Sequence, residues 1–268
     1  MTRVLSGAVL LGFAIVVVWF ASALVFFGVA ELLLALALIE YAALARHSGW
    51  SVPAGPAGAA TMLTAAAFAW PAVGGLPGVP LDVVLMSALV ALGALTVALW
   101  RGSGGVNALG LAASSLFPAL YLGLPVGAMI AIRETRGREA LLLLMLTIIV
   151  SDTAQYYAGR ALGRRPLAPA ISPKKTVEGA VGGFICGALV LAALGEWWLP
   201  WVPLALRAAL GATVVALGII GDLFESMLKR SAGVKDSSTL IPGHGGLLDR
   251  IDALLFAAPI YYVVLKYV

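Results

Sequence analysis

Cysteine and histidine are almost missing from this sequence, and charge is scarce. One cysteine, Cys186, and two histidines, His47 and His244, stand among 268 residues. A lone thiol closes no intrachain disulfide, and no Cys/His set sits at metal-binding spacing, so a disulfide-stapled domain and a zinc centre are excluded. Charged residues make up 11% and hydrophobic residues 62%, against about 25% and about 45–50% in soluble domains. With 17 basic and 13 acidic side chains, a water-soluble globule cannot cover that much apolar surface. No GxxxxGK[ST] phosphate loop is present, no repeat recurs at a fixed period, and the long apolar runs lack the alternation of a membrane β-barrel. What remains is an all-α polytopic integral membrane bundle, read as a single membrane domain over residues 1–268. The net charge of +4 does not point to nucleic acid, because membrane proteins collect Lys and Arg in cytoplasmic loops.

A spanning helix needs about 20 apolar residues. The sequence predicts about nine transmembrane helices: 5–27 and 28–45 turning near Gly28, then 58–73, 81–100, 108–132 bent at Pro118 and Pro125, 139–160, 176–198, one from 203, and 247–267. Arg3, the apolar stretch after it and Ala21-Ser22-Ala23 mimic a signal peptide, but the run continues past the would-be cleavage site. Arg160, Arg164, Arg165, Lys174 and Lys175 favour the cytoplasm for the segment 160–175, and Arg3, Arg46 and Arg101 agree. Arg133, Arg136 and Arg138 also read as cytoplasmic, although a single span separates them from 160–175. The two assignments conflict unless a segment between 108 and 160 is bent, short or re-entrant.

Charge is distributed unevenly along the chain. Fourteen of the 17 Lys/Arg and ten of the 13 Asp/Glu lie from Arg133 onward. The region 1–132 therefore reads as scaffold helices, with Glu31 and Glu40 structural, and 133–268 as the catalytic half. Ionisable groups inside apolar helices are costly and mark functional sites by default. Three clusters stand out. In Ser151-Asp152-Thr153-Ala154-Gln155-Tyr156, residues Asp152, Gln155, Tyr156 and Gly159 share one helical face. In Ser172-Pro173-Lys174-Lys175-Thr176-Val177-Glu178-Gly179, Ser172 suits an N-cap and Pro173 the first helical position. Two lysines at a helix start, where the dipole repels cations, make sense if an anion sits there. The third and richest cluster runs from Asp222 to Asp252 and holds nine charged groups and His244. Asp222, Glu225, Ser226, Lys229 and Arg230 fall on one helical face; Asp249 and Asp252 are partners at i, i+3. Gly243, Gly245 and Gly246 free the backbone for an anion nest.

Aspartates without cysteine and with few histidines suit Mg²⁺, a hard cation that takes oxygen ligands and shares them with substrate phosphates. Lys and Arg then neutralise charge on a transferring phosphoryl group. An ion-coupled transporter also buries charges in apolar helices, but it predicts charges in both halves and an internal repeat.

The run Ser226-Met-Leu-Lys229-Arg230, Lys235-Asp236, and Pro242-Gly-His244-Gly245-Gly246-Leu-Leu-Asp249-Arg250-Ile-Asp252 resembles the signature of the phosphatidate cytidylyltransferases, also called CDP-diacylglycerol synthases. Ser151-Asp152-Thr153 with Tyr156, and Ser172 to Gly179, are similar to the same family. The resemblance covers about 150–252; Ala154-Gln155 is a mild departure from it. It implies CTP and phosphatidic acid as substrates, and CDP-diacylglycerol and pyrophosphate as products, with Mg²⁺ required. On that reading Asp222 and Asp249 hold the metal, with a two-ion centre as one form of it. Asp152, Lys229, Arg230, Lys235, Asp236, His244, Arg250 and Asp252 act on the reacting groups. Lys174, Lys175, Ser226, Gly245 and Gly246 bind substrate. The bilayer supplies the lipid, no nucleic acid is expected, and a homodimer is compatible with the sequence. The localisation implied is a bacterial inner membrane with the site facing the cytoplasm.

Overall fold

Apolar runs in this chain become helices because no other structure satisfies its backbone within the hydrocarbon layer. The computed structural model describes residues 2–73, 93, 108–241, 243 and 245–268. The helix expected over 81–100 falls outside them, Gly93 apart. The first two helices are α1 (Thr2–Phe20) and α2 (Ala23–His47). They part at Ala21–Ser22 rather than at the expected Gly28. The Ser22 hydroxyl accepts from the Val25 N–H at 3.4 Å, so a side chain is there to cap a new helix. Gly28 has no capping role and stays helical.

Helix α3 (Ala54–Val73) follows. Helix α4 (Ala108–Pro118) runs through a π-helical turn, Ala119–Gly123, into α5 (Leu124–Arg136). Pro118 cannot donate a backbone hydrogen bond, and the wider turn absorbs the disruption within a continuous rod. Then come α6 (Arg138–Leu162), the strands β1 (Pro166–Ala168) and β2 (Ser172–Thr176), and the helices α7 (Val177–Trp198), α8 (Leu204–Ser231) and α9 (Leu248–Tyr267). The strands pair antiparallel, with Pro166 opposite Thr176 and Ala168 opposite Ser172.

The hairpin corrects the expected helix start at Ser172. Residues 172–176 are extended, and Thr176 is the cap, its hydroxyl accepting from the Gly179 N–H at 3.1 Å. Pro173 needs no donor partner, which suits the edge of a two-stranded hairpin as well as a first helical position.

The expected nine helices include the one over 81–100, which lies outside the described residues. Counting 108–136 as one rod, the described residues form eight helices. Five segments are long and apolar enough to cross a membrane: 23–47, 112–136, 138–162, 177–198 and 204–231. Helix α1 offers only the apolar stretch Ser6–Phe20, and α9 carries Asp249, Arg250, Asp252 and Lys266.

The core is aliphatic, with Leu34, Leu122, Ile130, Leu143, Leu144, Leu191 and Leu255 shut off from the exterior. Val16, Leu24, Leu32, Ile39, Ile185 and Leu189 point outward, as lipid-facing side chains do. Helix α6 packs most extensively on α7, and α8 lies between α7 and α9. The α6–α7 contact depends on glycine. A Cβ at Gly183 would sit 2.8 Å from the Ser151 carbonyl oxygen, so the two backbones meet with no room for a side chain.

The two ends of the bundle hold different groups. At one, Arg133 Nε donates to the Val18 carbonyl at 2.8 Å and its Nη2 to that of Ala21. Arg138 Nη1 reaches the Trp19 carbonyl at 2.9 Å, and Arg136 Nη2 reaches that of Lys266 at 3.0 Å. These arginines cap the C-terminal ends of α1 and α9, where the dipole favours cations. At the other end lie the hairpin, the last turn of α8 and the start of α9. Helix α6, 25 residues long, separates the two ends by roughly 37 Å at 1.5 Å per residue. Arg133, Arg136 and Arg138 are committed to helix ends, at the opposite end of α6 from the hairpin.

Gly183→Val should cost about 1–3 kcal/mol through overpacking against Ser151. Gly28→Ala, with nothing within 4 Å of the new methyl, should gain about 0.5–1 kcal/mol. Unfolding of both variants in detergent, followed by circular dichroism, measures the difference.

Candidate active site

Five charged side chains from four elements meet at the hairpin end. Asp152 comes from α6, Lys175 from β2, Asp222 from α8, and Arg250 and Asp252 from the first turns of α9. Lys175 Nζ is ion-paired with Asp222 Oδ2. Asp152 lies within electrostatic reach of Asp222, Lys175 and Arg250, and Asp252 within reach of Asp222 and Asp152. Close helix packing brings this about. A Cβ at Gly221 would fall 2.5 Å from the Asp252 carbonyl oxygen, so the residue after it, Asp222, stands beside α9. The Ser226 hydroxyl, one turn on, donates to Asp222 Oδ1 at 3.4 Å. Gln155 Nε2 donates to Asp152 Oδ1 at 3.0 Å and to the Ser151 hydroxyl at 3.3 Å.

The hairpin delivers Lys175 because its base is tied to α7. Glu178 Oε2 accepts the backbone N–H groups of Arg164 at 2.9 Å and Arg165 at 3.2 Å. Together with the Thr176 cap this fixes both strands to the first turn of α7. Lys174, next in β2, is exposed.

A second network lies deeper. Lys229 Nζ is paired with Glu225 and donates to Asp249 Oδ1 at 2.5 Å. Glu225 is fully buried and Lys229 nearly so. Asp249 Oδ2 accepts the Ser237 N–H at 2.9 Å, the Ser237 hydroxyl at 2.8 Å and the Gly246 N–H at 2.8 Å. Both Asp249 oxygens are thus engaged within the chain, and Lys229 serves as a strut between α8 and α9. Beside it, Phe117, Tyr121, Phe224 and Phe256 form an aromatic layer with ring centroids 5.2–6.3 Å apart along its contacts.

The expected site residues therefore separate. Asp152, Lys175, Asp222, Ser226, Arg250 and Asp252 stand in the outer cluster. Lys229, Asp249, Gly245 and Gly246 belong to the inner network and its loop. Arg230 Nη1 is spent on the Val234 carbonyl at 3.0 Å, and Lys235 and Asp236 are exposed in the loop before α9. His244 and Pro242 lie outside the described residues.

Sequence reasoning missed Ser237, read Glu40 only as structural, and gave Glu178 no role beyond its place in the run 172–179. Glu40 carried one signal, an acid within an apolar helix that also holds Glu31. The Glu40 carboxylate accepts the Leu247 N–H at 2.9 Å, the Leu248 N–H at 2.8 Å, and the hydroxyls of Ser237 at 2.9 Å and Ser238 at 2.7 Å.

Chemically, the outer cluster sets three carboxylates against one lysine and one arginine. Such a surplus of acid suits a hard cation, and the donors are all oxygens. Among the described residues no three His, Cys, Asp or Glu side chains close on one point. A cation here would complete its shell with water and phosphate oxygens.

The model of the cytidylyltransferase family matches residues 1–268. The chain belongs to the cytidylyltransferase family. Members of the family with curated names include the phosphatidate cytidylyltransferase of Synechocystis sp., 41% identical over 63% of this chain and 56% of that protein. That of Aquifex aeolicus is 41% identical over 56% of this chain and 54% of its own length. That of Haemophilus influenzae is 46% identical over 47% and 45%. The chain spans about half the length of these curated relatives.

Lys229→Met should destabilise the protein by about 3–5 kcal/mol, because it leaves Glu225 and Asp249 buried without their cation. Lys175→Met breaks a pair that is partly exposed, with side chains 22% and 31% accessible, and should cost about 1 kcal/mol or less. Denaturant unfolding of the two variants tests whether the lysines differ in this way.

Proposed function

We propose that this chain is a phosphatidate cytidylyltransferase, converting CTP and phosphatidic acid to CDP-diacylglycerol and pyrophosphate. The observation that carries the reading is the meeting of Asp152, Asp222 and Asp252 with Lys175 and Arg250 at one end of the bundle. The names of the relatives support the same choice of substrates.

The lipid phosphate is the nucleophile, so the protein need not supply one. A phosphate oxygen of phosphatidic acid attacks the α-phosphorus of CTP, the bond to the β-phosphate oxygen breaks, and pyrophosphate leaves. The chain's task is to position two anions against each other and to offset their charge. Lys175 and Arg250 flank the acidic cluster and hold phosphate oxygens. Lys174, Arg230 and Lys235, exposed nearby in the chain, draw the triphosphate or the lipid head group. Asp236 orders the loop between them, and Gly245, Gly246 and His244 shape it. Asp222, with Asp152 and Asp252, would hold Mg²⁺, in a one- or two-ion centre. Asp249 would join them only by releasing some of its present partners. Bound there, Mg²⁺ would supply Lewis-acid stabilisation of charge on the phosphates.

The ends of membrane helices suit such a pair of substrates. CTP arrives from water and the lipid enters sideways from its leaflet. The basic residues at this end, Arg46, Arg160, Arg164, Arg165, Lys174 and Lys175, support a cytoplasmic position for it by the positive-inside rule. A homodimer is compatible with this arrangement.

Purified protein should form CDP-diacylglycerol from radiolabelled CTP and phosphatidic acid in detergent, with activity abolished by EDTA and restored by Mg²⁺. Asp222→Asn should lower kcat by about 10²-fold or more. Wild-type activity in that variant at limiting Mg²⁺ would refute the role given to Asp222.

A further inference from the structure

We propose that Glu40, in the half of the chain that reads as scaffold, is a positioning residue for the site. The proposal rests on the function given above, because its catalytic arm uses that reaction. Glu40 is buried, at 4% exposure, and lies on α2, some 200 residues from the groups it holds. Oε1 accepts the Leu247 N–H and the Ser238 hydroxyl; Oε2 accepts the Leu248 N–H and the Ser237 hydroxyl. Leu247 and Leu248 open α9, so a carboxylate from a remote helix occupies the place of an N-cap. It satisfies two orphan N–H groups and sits at the positive end of the helix dipole.

The contact is tight. A Cβ at Gly246 would lie 2.0 Å from the Ser237 hydroxyl and 2.5 and 2.6 Å from the two Glu40 oxygens, so this glycine is required by Glu40 and Ser237 together. Ser237 extends the hold. Its hydroxyl also reaches Asp249 Oδ2 at 2.8 Å, and one hydroxyl proton is shared between the two carboxylates. Asp249 in turn engages Lys229, and Lys229 engages Glu225. An unbroken polar chain thus runs from α2 through the loop before α9 to α8. Arg250 and Asp252 are two and four residues beyond Leu248. Their placement against Asp222 and Asp152 follows from where α9 begins, and Glu40 fixes that point.

Glu40→Gln tests this. The amide keeps the size of the side chain but turns one acceptor into a donor, opposite two groups that also donate. At a temperature well below its unfolding transition, the variant should lose about tenfold or more in kcat, as misplacement of the reacting groups predicts. Hydrogen–deuterium exchange should accelerate in 236–249 and stay near wild type in α6 and α7. A Glu40 that only stabilises the fold would lower the melting temperature and leave kcat of the folded enzyme within twofold of wild type. That result overturns the proposal, as does faster exchange spread evenly over the bundle. Should Glu40→Gln fail to fold, Ser238→Ala removes one bond at Oε1. Local acceleration of exchange with a reduced kcat then sustains the proposal, and wild-type exchange in 236–249 overturns it. If the wild-type protein does not turn over CTP and phosphatidic acid, the assigned reaction fails, and exchange alone decides whether Glu40 holds the start of α9.

Discussion

A carboxylate drawn into an apolar bundle persists as an anion only if donors inside the protein replace water. That constraint divides six acids around the site into two sets. Glu40, Glu225 and Asp249 are spent inward. They hold serine hydroxyls, backbone N–H groups and the single cation of Lys229. Asp152, Asp222 and Asp252 form the outer set, where Lys175 and Arg250 offset only part of their charge. The inner set makes the outer one affordable, because it fixes the start of α9 and its distance from α8. A rigid frame of this kind lets like charges stay close without springing apart, and the surplus negative potential is then available to a cation carried in with phosphate.

Much of this was legible in the sequence. The apolar runs gave the helical class, and the clusters around Asp152, Lys175 and Asp222–Asp252 gave the elements that meet. Spacing also put Asp222, Glu225, Ser226, Lys229 and Arg230 on one face of α8. Periodicity is silent about what that face meets, however. Asp222 and Ser226 look toward the hairpin, while Glu225 and Lys229 look into α9, and Arg230 turns back to its own helix end. A helical wheel cannot divide a face between two neighbours, so the sequence does not show that Lys229 and Asp249 contact each other.

The errors have a common cause: residues with two good uses. Pro173 fits a first helical turn or an unpaired strand position, and only pairing with β1 decides between them. Ser22 ends α1 where Gly28 was the expected break, because a capping hydroxyl compensates a new helix start and a glycine in an apolar helix compensates nothing. Arg133, Arg136 and Arg138 read as markers of a cytoplasmic loop, yet their guanidinium groups lie on the carbonyls that end α1 and α9. Charge counting treats every basic residue as facing water. A guanidinium committed to helix carbonyls is bound, and it carries little information about which side of the membrane it is on.

The division into scaffold and catalytic halves also needs restating in physical terms. Few charges lie in the first half, but one of them, Glu40, is among the most densely bonded side chains in the structure, and its neighbour Tyr41 packs against Phe117 and Tyr121. Scarcity is itself the reason. In an apolar helix a carboxylate has few partners along its own sequence, and on α2 Glu40 finds its donors elsewhere in the fold, whereas the buried oxygens of Glu31 have no hydrogen-bond partner among the described residues. The donors free to meet Glu40 are those that a helix start leaves unpaired. Glu40 is thus a pointer to a distant backbone terminus, and that terminus belongs to the helix that bears Arg250 and Asp252.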